Sequence, residues 1–569
     1  MRYLSSRTAI AQDREVFRRV SDQRERTTVY RVVARSWLAA QPPCDLTRRW
    51  TPALILVVFT SMGLVQLAAN AGTKPNVLFI ITDDQERSEF NFLPEGRDER
   101  GEPRNLTPNI DRLATEGVVF LNQYVSSPVC TPSRYSVLTG TYASRSPSFA
   151  KAAERGEQVN ITWNSHIDGE TSDIARTLQR TGYFTGAVGK NHVIKLRSKS
   201  RETEAPADDA DPRQPEVAGY YAAKQREQVE SLKACGFDFA ASVYAGNLPG
   251  HTCKALEYHN VDWITGGALD FLDAWKQTEK PFFLYMATTL NHGPGPANRK
   301  YTGDPLATPA GLLGSPLDVQ PPRSSISERV RKAGLSTDGP ACDLLWLDDG
   351  IGAVLNRLEE LGELNNTIVF YFDDHGVESG KGSLYEGGIR SVSFVWSPRY
   401  VKGGRQTEVR VSNIDFAPTI MDLCGVPGED RHAVDGNSFV PVLQGSEREI
   451  HDYLFFELGA TRAVLQDGWK YLAFRLPPSL PPNPPKPYTH LADRPGGRGS
   501  EGPAMKFYPN YYDQDQLYNV HEDPLERENL YQDGRLKTRV EAMRRLLREA
   551  VGNVPGTFAE FTEPIQSSR

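Results

Sequence analysis

The sequence predicts an α/β protein: a large sheet with helices on both faces, then a smaller C-terminal α+β domain. Three observations carry that expectation. Continuous apolar runs such as Asn76–Thr82 (NVLFIIT) and Pro281–Thr289 (PFFLYMATT) suit strands covered on both sides. Stretches of helical spacing alternate with them. Beyond Gln444 the alternation fades, so the chain divides into 1–71, 72–445 and 446–569.

In chain order, Asn76–Thr82 is the first strand. Thr107-Pro108 opens a helix as cap and first residue, with Ile110, Leu113 and Ala114 on one side and Gly117 ending it. Ser172–Arg180 is a second helix, closed by Gly182, and Tyr183–Val188 a strand. Val261–Lys276 is a helix, and Pro281–Thr289 the next strand. Asp343–Leu361 is a long helix before the strand Thr367–Asp373. Residues 196–230 are charged and weakly apolar, a surface excursion. Residues 477–488 (PPSLPPNPPKPY) form a Pro-rich loop. A last helix spans Leu536–Ala550.

The first 71 residues carry 11 Arg, no Lys and five acids, a net of +6, which leaves −13 of the overall −7 on the other 498. An acidic body argues against a nucleic-acid partner. An anionic ligand must then be met by a local group of cations. Arg48 and Arg49, the apolar run Ala53–Ala69 and Ala69-Asn70-Ala71 have the pattern of a cleaved export signal. The run is short for a bilayer span. The expected location is periplasmic or extracellular, without stable membrane association. A signal at this depth implies a true start near Leu46 and a mature end near Gly72. Of six cysteines, none form a CxxC pair. Once Cys44 and Cys130 are set aside, four could be disulfides or buried thiols.

Two strand ends carry paired acids. Asp83-Asp84 follows Asn76–Thr82, and Asp373-Asp374-His375-Gly376 closes Thr367–Asp373. The carboxyl ends of strands are where open α/β sheets bind ligands. Adjacent carboxylates repel unless a cation lies between them. Two such ends can close one metal site. A third signal is Cys130-Thr131-Pro132-Ser133-Arg134 followed by Leu138-Thr139-Gly140. Thr131 and Pro132 suit the start of a helix, which would put Cys130 at its positive end.

That third signal matches CxPSRxxxLTG, and through it the chain resembles the formylglycine-dependent (type I) sulfatases of the alkaline phosphatase superfamily over about 72–535. Gly380-Lys381-Gly382 with Tyr385-Glu386-Gly387-Gly388 is similar to the family's GKGxxYEGG. Gly189-Lys190-Asn191-His192 resembles its GKxH. Leu517-Tyr518 with Asp523-Pro524 and Glu526 resembles its C-terminal segment.

The resemblance implies an alkaline phosphatase-like fold, a large mixed sheet sandwiched by helices. It implies conversion of Cys130 to formylglycine by a maturation enzyme, and hydrolysis of sulfate esters on small molecules or polysaccharides. Asp83, Asp84, Asp374 and His375 would hold one divalent ion, with residue 130 as a further ligand. Arg134 would orient the aldehyde hydrate, and Lys190 and Lys381 would clamp sulfate. His292, in Asn291-His292-Gly293-Pro294, would protonate the leaving alcohol, and His192 would take the second proton.

Two departures stand out. Many members have Asn where this chain has His375; calcium is the first expectation, with Mn²⁺ or Zn²⁺ open to an imidazole ligand. Many have an aromatic where it has Asn191, so the pocket wall there should differ. Two alternatives stay open on sequence: a phosphonate or phosphodiester hydrolase of the same superfamily, and a secreted protein that binds sulfated glycans without turnover. Specificity is expected in loops near 144–170 and 236–260.

Overall fold

The structure, a computed structural model, describes residues 74–195, 204–248, 250, 252–293 and 300–562. The expected export signal and Cys44 lie outside the described residues. Five strands come first: β1 Asn76–Asp83, β2 Val118–Tyr124, β3 Phe184–Lys190, β4 Phe239–Tyr244 and β5 Phe282–Asn291. A small hairpin follows, β6 Ala307–Thr308 with β7 Gly311–Leu312. Then come β8 Thr367–Asp373, β9 Arg390–Trp396, β10 Arg405–Thr407 and β11 Val411–Ser412.

All but the hairpin join one nine-stranded sheet, in the order β10-β2-β9-β8-β1-β5-β3-β4, with β11 also on β2. β1 runs parallel to β5 and β8, and β3 to β4 and β5. β9 is antiparallel to both β2 and β8, so the sheet is mixed. Side chains alternate across it. Val77, Phe79 and Ile81 join one core, with the helices Cys130–Thr139, Ile174–Arg180 and Phe416–Leu423. Leu78 and Ile80 join the other, with Pro108–Glu116, Val261–Trp275 and Ala341–Glu360. Every residue of β1 is buried, which is why the run is apolar without alternation.

The chain then builds a four-stranded antiparallel sheet: β12 Leu454–Leu458, β13 Thr461–Gln466, β14 Trp469–Phe474 and β15 Asp515–Asn519. The last helix, Lys537–Gly552, covers one face with Met543, Leu547 and Val551. The other face, with Phe456, Ala463 and Leu472, continues the core beneath the large sheet. The link from β14 to β15 runs back over the main body and buries Leu491, Ala504, Tyr508 and Tyr511 there.

Some expectations need correction. The second helix begins at Ile174, because Asp173 accepts the Arg176 amide at 2.9 Å and caps it. The helix after Val129 begins at Cys130, so Thr131 is inside it and does not cap it. Residues 196–230 are not wholly a surface excursion: Pro215–Lys233 is a helix that buries Val217, Tyr221 and Leu232. Its apolar contacts are too sparse among charges to show as a stripe. Cys130, Cys235, Cys253, Cys342 and Cys424 are free buried thiols. Among the described residues, no helix is long and apolar enough to cross a membrane.

Candidate active site

The register of the sheet assembles the site. β1 and β8 are neighbours with Thr82 opposite Asp373, so their acidic ends emerge side by side. On the other flank Asp83 lies opposite Asn291, which delivers His292. One strand further, β3 ends on Lys190. Gly189 is required there: its φ is +87°, and a Cβ would lie 1.7 Å from the Ala287 carbonyl oxygen. Beneath these ends, the helix Cys130–Thr139 points its N-terminus at the same spot.

The ten expected residues converge. Cys130 Sγ lies 3.7 Å from Asp83 Oδ1 and 3.4 Å from His375 Nε2. Arg134 donates to Asp374 Oδ2 from Nε at 3.1 Å and reaches Asp83 Oδ1 at 3.5 Å. Lys190 pairs with Asp83. Lys381 Nζ donates to Asp84 Oδ1 at 2.7 Å, and His292 Nε2 is 3.4 Å from Asp84 Oδ2. His192 lines the cleft over these groups. Lys381 sits on a loop closed by glycine-to-glycine contact, since a Cβ on Gly388 would lie 2.3 Å from the Gly380 carbonyl oxygen. Asp84 and His192 both have positive φ, 57° and 53°, a strained backbone that the surrounding packing must hold.

The charges bias one another. Burial would raise the Cys130 thiol, but Lys190, Lys381 and His375 hold it well below its usual range. Burial would likewise raise Asp83, and Lys190 and His292 outweigh it and keep its carboxyl low. Burial lifts Asp374 to about 7. It pushes His192 down to about 4, so that imidazole is neutral at pH 7 and able to accept a proton.

A family model described as Sulfatase matches residues 75–426. The chain belongs to the sulfatase family. It is 28% identical over 477 residues to human arylsulfatase D, covering 72% of this chain and 75% of the relative. It is 25% identical over 405 residues to N-acetylgalactosamine-6-sulfatase of Mus musculus, covering 68% and 69%. A solved structure in complex with D-glucosamine-2-N,6-O-disulfate shares the fold at TM-score 0.52 and 19% identity, over 84% of this chain and 97% of that one. The named relatives are sulfuric ester hydrolases, and the architecture is that of the alkaline phosphatase superfamily.

The sulfatase site suits a cation. Ligand atoms of Asp84, Cys130, Asp374 and His375 lie within 4.8 Å of one another, as do those of Asp83, Asp84, Cys130 and His292. His375 Nδ1 faces the Gly376 carbonyl at 3.0 Å, which turns Nε2 toward Asp84 at 3.4 Å. Burial would lower His375, but Asp374 and Cys130 raise it to about 10. A cation held there would take the place of that proton. Asp373 is turned away. Its Oδ1 accepts the Gln85 amide and the Thr82 hydroxyl, both at 3.1 Å, and stitches β1 to β8.

Asn191 does not line the cleft over the site. Its Oδ1 accepts the Ile194 amide at 2.8 Å and shapes the turn that carries His192. Sequence reasoning passed over several contributors. Ser133 donates to the Asp374 carbonyl, and Asn413 Nδ2 donates to Ser133 Oγ at 3.0 Å. A cleft of about 680 Å³ over the site is lined by Asp84, His192, His292 and Lys381, and also by Trp163, Asn247 and Arg498. Trp163 and Asn247 fall in the two loops expected to set specificity. Arg498 follows a Gly-Gly pair in a segment without a motif.

Proposed function

We propose that this sulfatase hydrolyses sulfate monoesters on sulfated carbohydrates, using a formylglycine made from Cys130 and one divalent ion. The observation that carries the reading is the placement of Cys130 at a helix N-terminus between acids and cations that come from four strand ends. The relative named for an N-acetylgalactosamine sulfate and the fold neighbour holding a disulfated glucosamine support a sugar as the alcohol.

Asp83, Asp84, Asp374 and His375 hold the ion, with residue 130 as a further ligand. When bound, the ion polarises the sulfate and favours the ionised form of a nearby hydroxyl. Carboxylates suit calcium, and the His375 nitrogen admits Mn²⁺ or Zn²⁺. Lys190 and Lys381 orient the sulfate oxygens and offset their charge. Arg134 fixes the hydrated aldehyde of residue 130. One hydroxyl of that hydrate bonds to sulfur as the bond from sulfur to the sugar oxygen breaks. His292 gives the departing oxygen its proton. Neutral His192 then takes the proton of the second hydroxyl, the carbon–oxygen bond to sulfate breaks, and the aldehyde returns. We further propose that the chain is exported and meets a maturation enzyme on its way.

The test is the chemical state of residue 130. Serine at that position has one hydroxyl and no second one on the same carbon to break an adduct. Cys130→Ser should therefore take up one sulfate from substrate and stall, visible by mass spectrometry. In the wild type, activity should rise in proportion to the converted fraction of the peptide ending at Arg134. High activity with only thiol in that peptide would overturn the reading.

A further inference from the structure

The cleft carries a cation that the proposed chemistry does not use. Lys190 and Lys381 are engaged with Asp83 and Asp84 at the floor. Arg498 lines the same cleft from the segment between β14 and β15. That segment is braced against the catalytic loop: a Cβ on Gly382, beside Lys381, would lie 3.1 Å from Glu501 Cγ and 3.3 Å from a Leu491 methyl. The guanidinium carbon of Arg498 stands 4.6 Å from the centre of the Trp163 ring, and Nε is 2.5 Å from Asp493. Stacking and tether fix the plane of the fork in advance, so little freedom is lost on binding. Even so, 46% of its side chain is exposed.

Trp163 offers an apolar surface at the same wall. Asn247, which lines the same cleft, has a buried Oδ1 without a hydrogen-bond partner, an acceptor open to a hydroxyl. An aromatic face, an acceptor and a fixed planar cation suit a sugar ring bearing hydroxyls and an anion. The cation is specific in effect because the rest of the chain is acidic, with −13 on residues 72–569 against a total of −7.

We propose that Arg498, stacked on Trp163, is a specificity-determining residue, and that the preferred substrate carries a second anionic group on or next to the sugar whose sulfate is cleaved. That group is a carboxylate or a second sulfate, both of which match the guanidinium fork. This inference rests on the sulfate-ester reading above.

The experiment uses the full, matured, metal-loaded enzyme. The probes are 4-nitrophenyl sulfate, monosulfated hexosamines, the same sugars with a second sulfate, and the same sugars linked to a uronate. The quantity read is the ratio of kcat/KM between each doubly anionic sugar and its singly charged parent. In the wild type that ratio should be about tenfold or more for at least one series, the low end for a part-exposed charge pair. Which series shows it assigns the second anion as sulfate or carboxylate. Arg498→Gln should bring the ratio near one, mainly through KM, and Arg498→Lys should restore part of it. Raising salt should lower the wild-type ratio and leave that of the glutamine variant flat. A wild type that does not prefer doubly anionic sugars would overturn the inference, as would a ratio that survives Arg498→Gln. If no sulfate ester is cleaved at all, 4-nitrophenyl sulfate included, the function reading fails instead.

Discussion

Two of the buried charge clusters among the described residues make a contrast, one at the ends of β1, β3, β5 and β8 and one beneath the antiparallel sheet. The second consists of Lys470, Glu526 and Glu386. Lys470 Nζ is 2.5 Å from Glu526 Oε1 and 3.1 Å from Glu386 Oε1, and Glu526 Oε2 accepts the Glu386 amide at 2.6 Å. Lys470 and Glu526 have no exposure. The cluster at the strand ends opens on the cleft, and His192 and His292 each keep a buried Nδ1 without a partner. The difference is access. Charges that meet each other in a sealed interior hold parts together, whereas charges that face a cleft are left to act on what enters it. The two are joined through the chain, since Glu386 belongs to the loop whose glycines position Lys381.

The largest effect should fall on the open cluster. Asp84→Asn should cut kcat/KM by about 10³-fold or more, because in the proposed mechanism it removes an ion ligand together with the partner of Lys381. Metal content should fall in parallel, read by elemental analysis, while the unfolding midpoint in urea stays within a small margin of the wild type. Full activity with no metal would break the contrast from the catalytic side.

The sealed cluster should answer in stability. Lys470→Met strands two carboxylates in the interior and should destabilise by about 3–5 kcal/mol, the range for breaking a buried pair from one side. The double change Lys470→Met, Glu526→Gln should recover part of that loss. If the double variant is as unstable as the single one, charge neutralisation is not what this cluster does.

A third prediction separates roles inside the cleft. His292 is 3.4 Å from Asp84 and lines the pocket, so it can reach a leaving oxygen. His292→Ala should lower turnover of sugar sulfates by about 10²-fold and that of 4-nitrophenyl sulfate far less, since nitrophenolate leaves without a proton. Equal losses on both substrates would remove His292 from that role.

Much of the open cluster was legible in the sequence, and little of the sealed one. β1 and β8 are continuous apolar runs that end on acids, and a fixed-spacing motif marks Cys130 and Arg134. Their neighbourhood in the sheet was not legible, because parallel pairing depends on contacts between residues nearly 300 positions apart. The split between Asp373 and Asp374 came only from the family resemblance. Side chains alternate across a strand, and the structure supplies the reason: Asp374 turns toward Arg134 while Asp373 ties β1 to β8. The helix Pro215–Lys233 was hidden by its charges. Arg498 was hidden for another reason: it reaches the cleft on a long excursion between two strands, with no periodicity to mark it. Glu526 was found by resemblance, yet its partner Lys470 sits mid-strand, where a lone lysine reads as a solvated face.

The last and smallest effect tests whether burial alone sets the state of a histidine. His192 and His490 are both pushed down to about 4 by burial, one beside the cleft and the other in the sealed region. His490 stacks on Tyr511 at 3.9 Å between ring centres, and Nε2 donates to the Tyr511 carbonyl at 2.7 Å. Nδ1 is buried without a partner, so a second proton there would have none to receive it. The folded state therefore keeps His490 neutral below the pH at which the unfolded chain protonates, near 6.5. Its contribution is complete above that value and is lost as pH falls from 6.5 toward 4. Between pH 7 and pH 5 the wild type should lose about 2 kcal/mol from this group. His490→Phe keeps the ring stack and has nothing to titrate. It should start less stable at pH 7, for want of the bond to Tyr511, yet fall less steeply with acid. Urea midpoints for both proteins at pH 7, 6 and 5 give the two slopes. Parallel slopes would mean that His490 protonates in place, and that its stacked site tolerates a charge despite its burial.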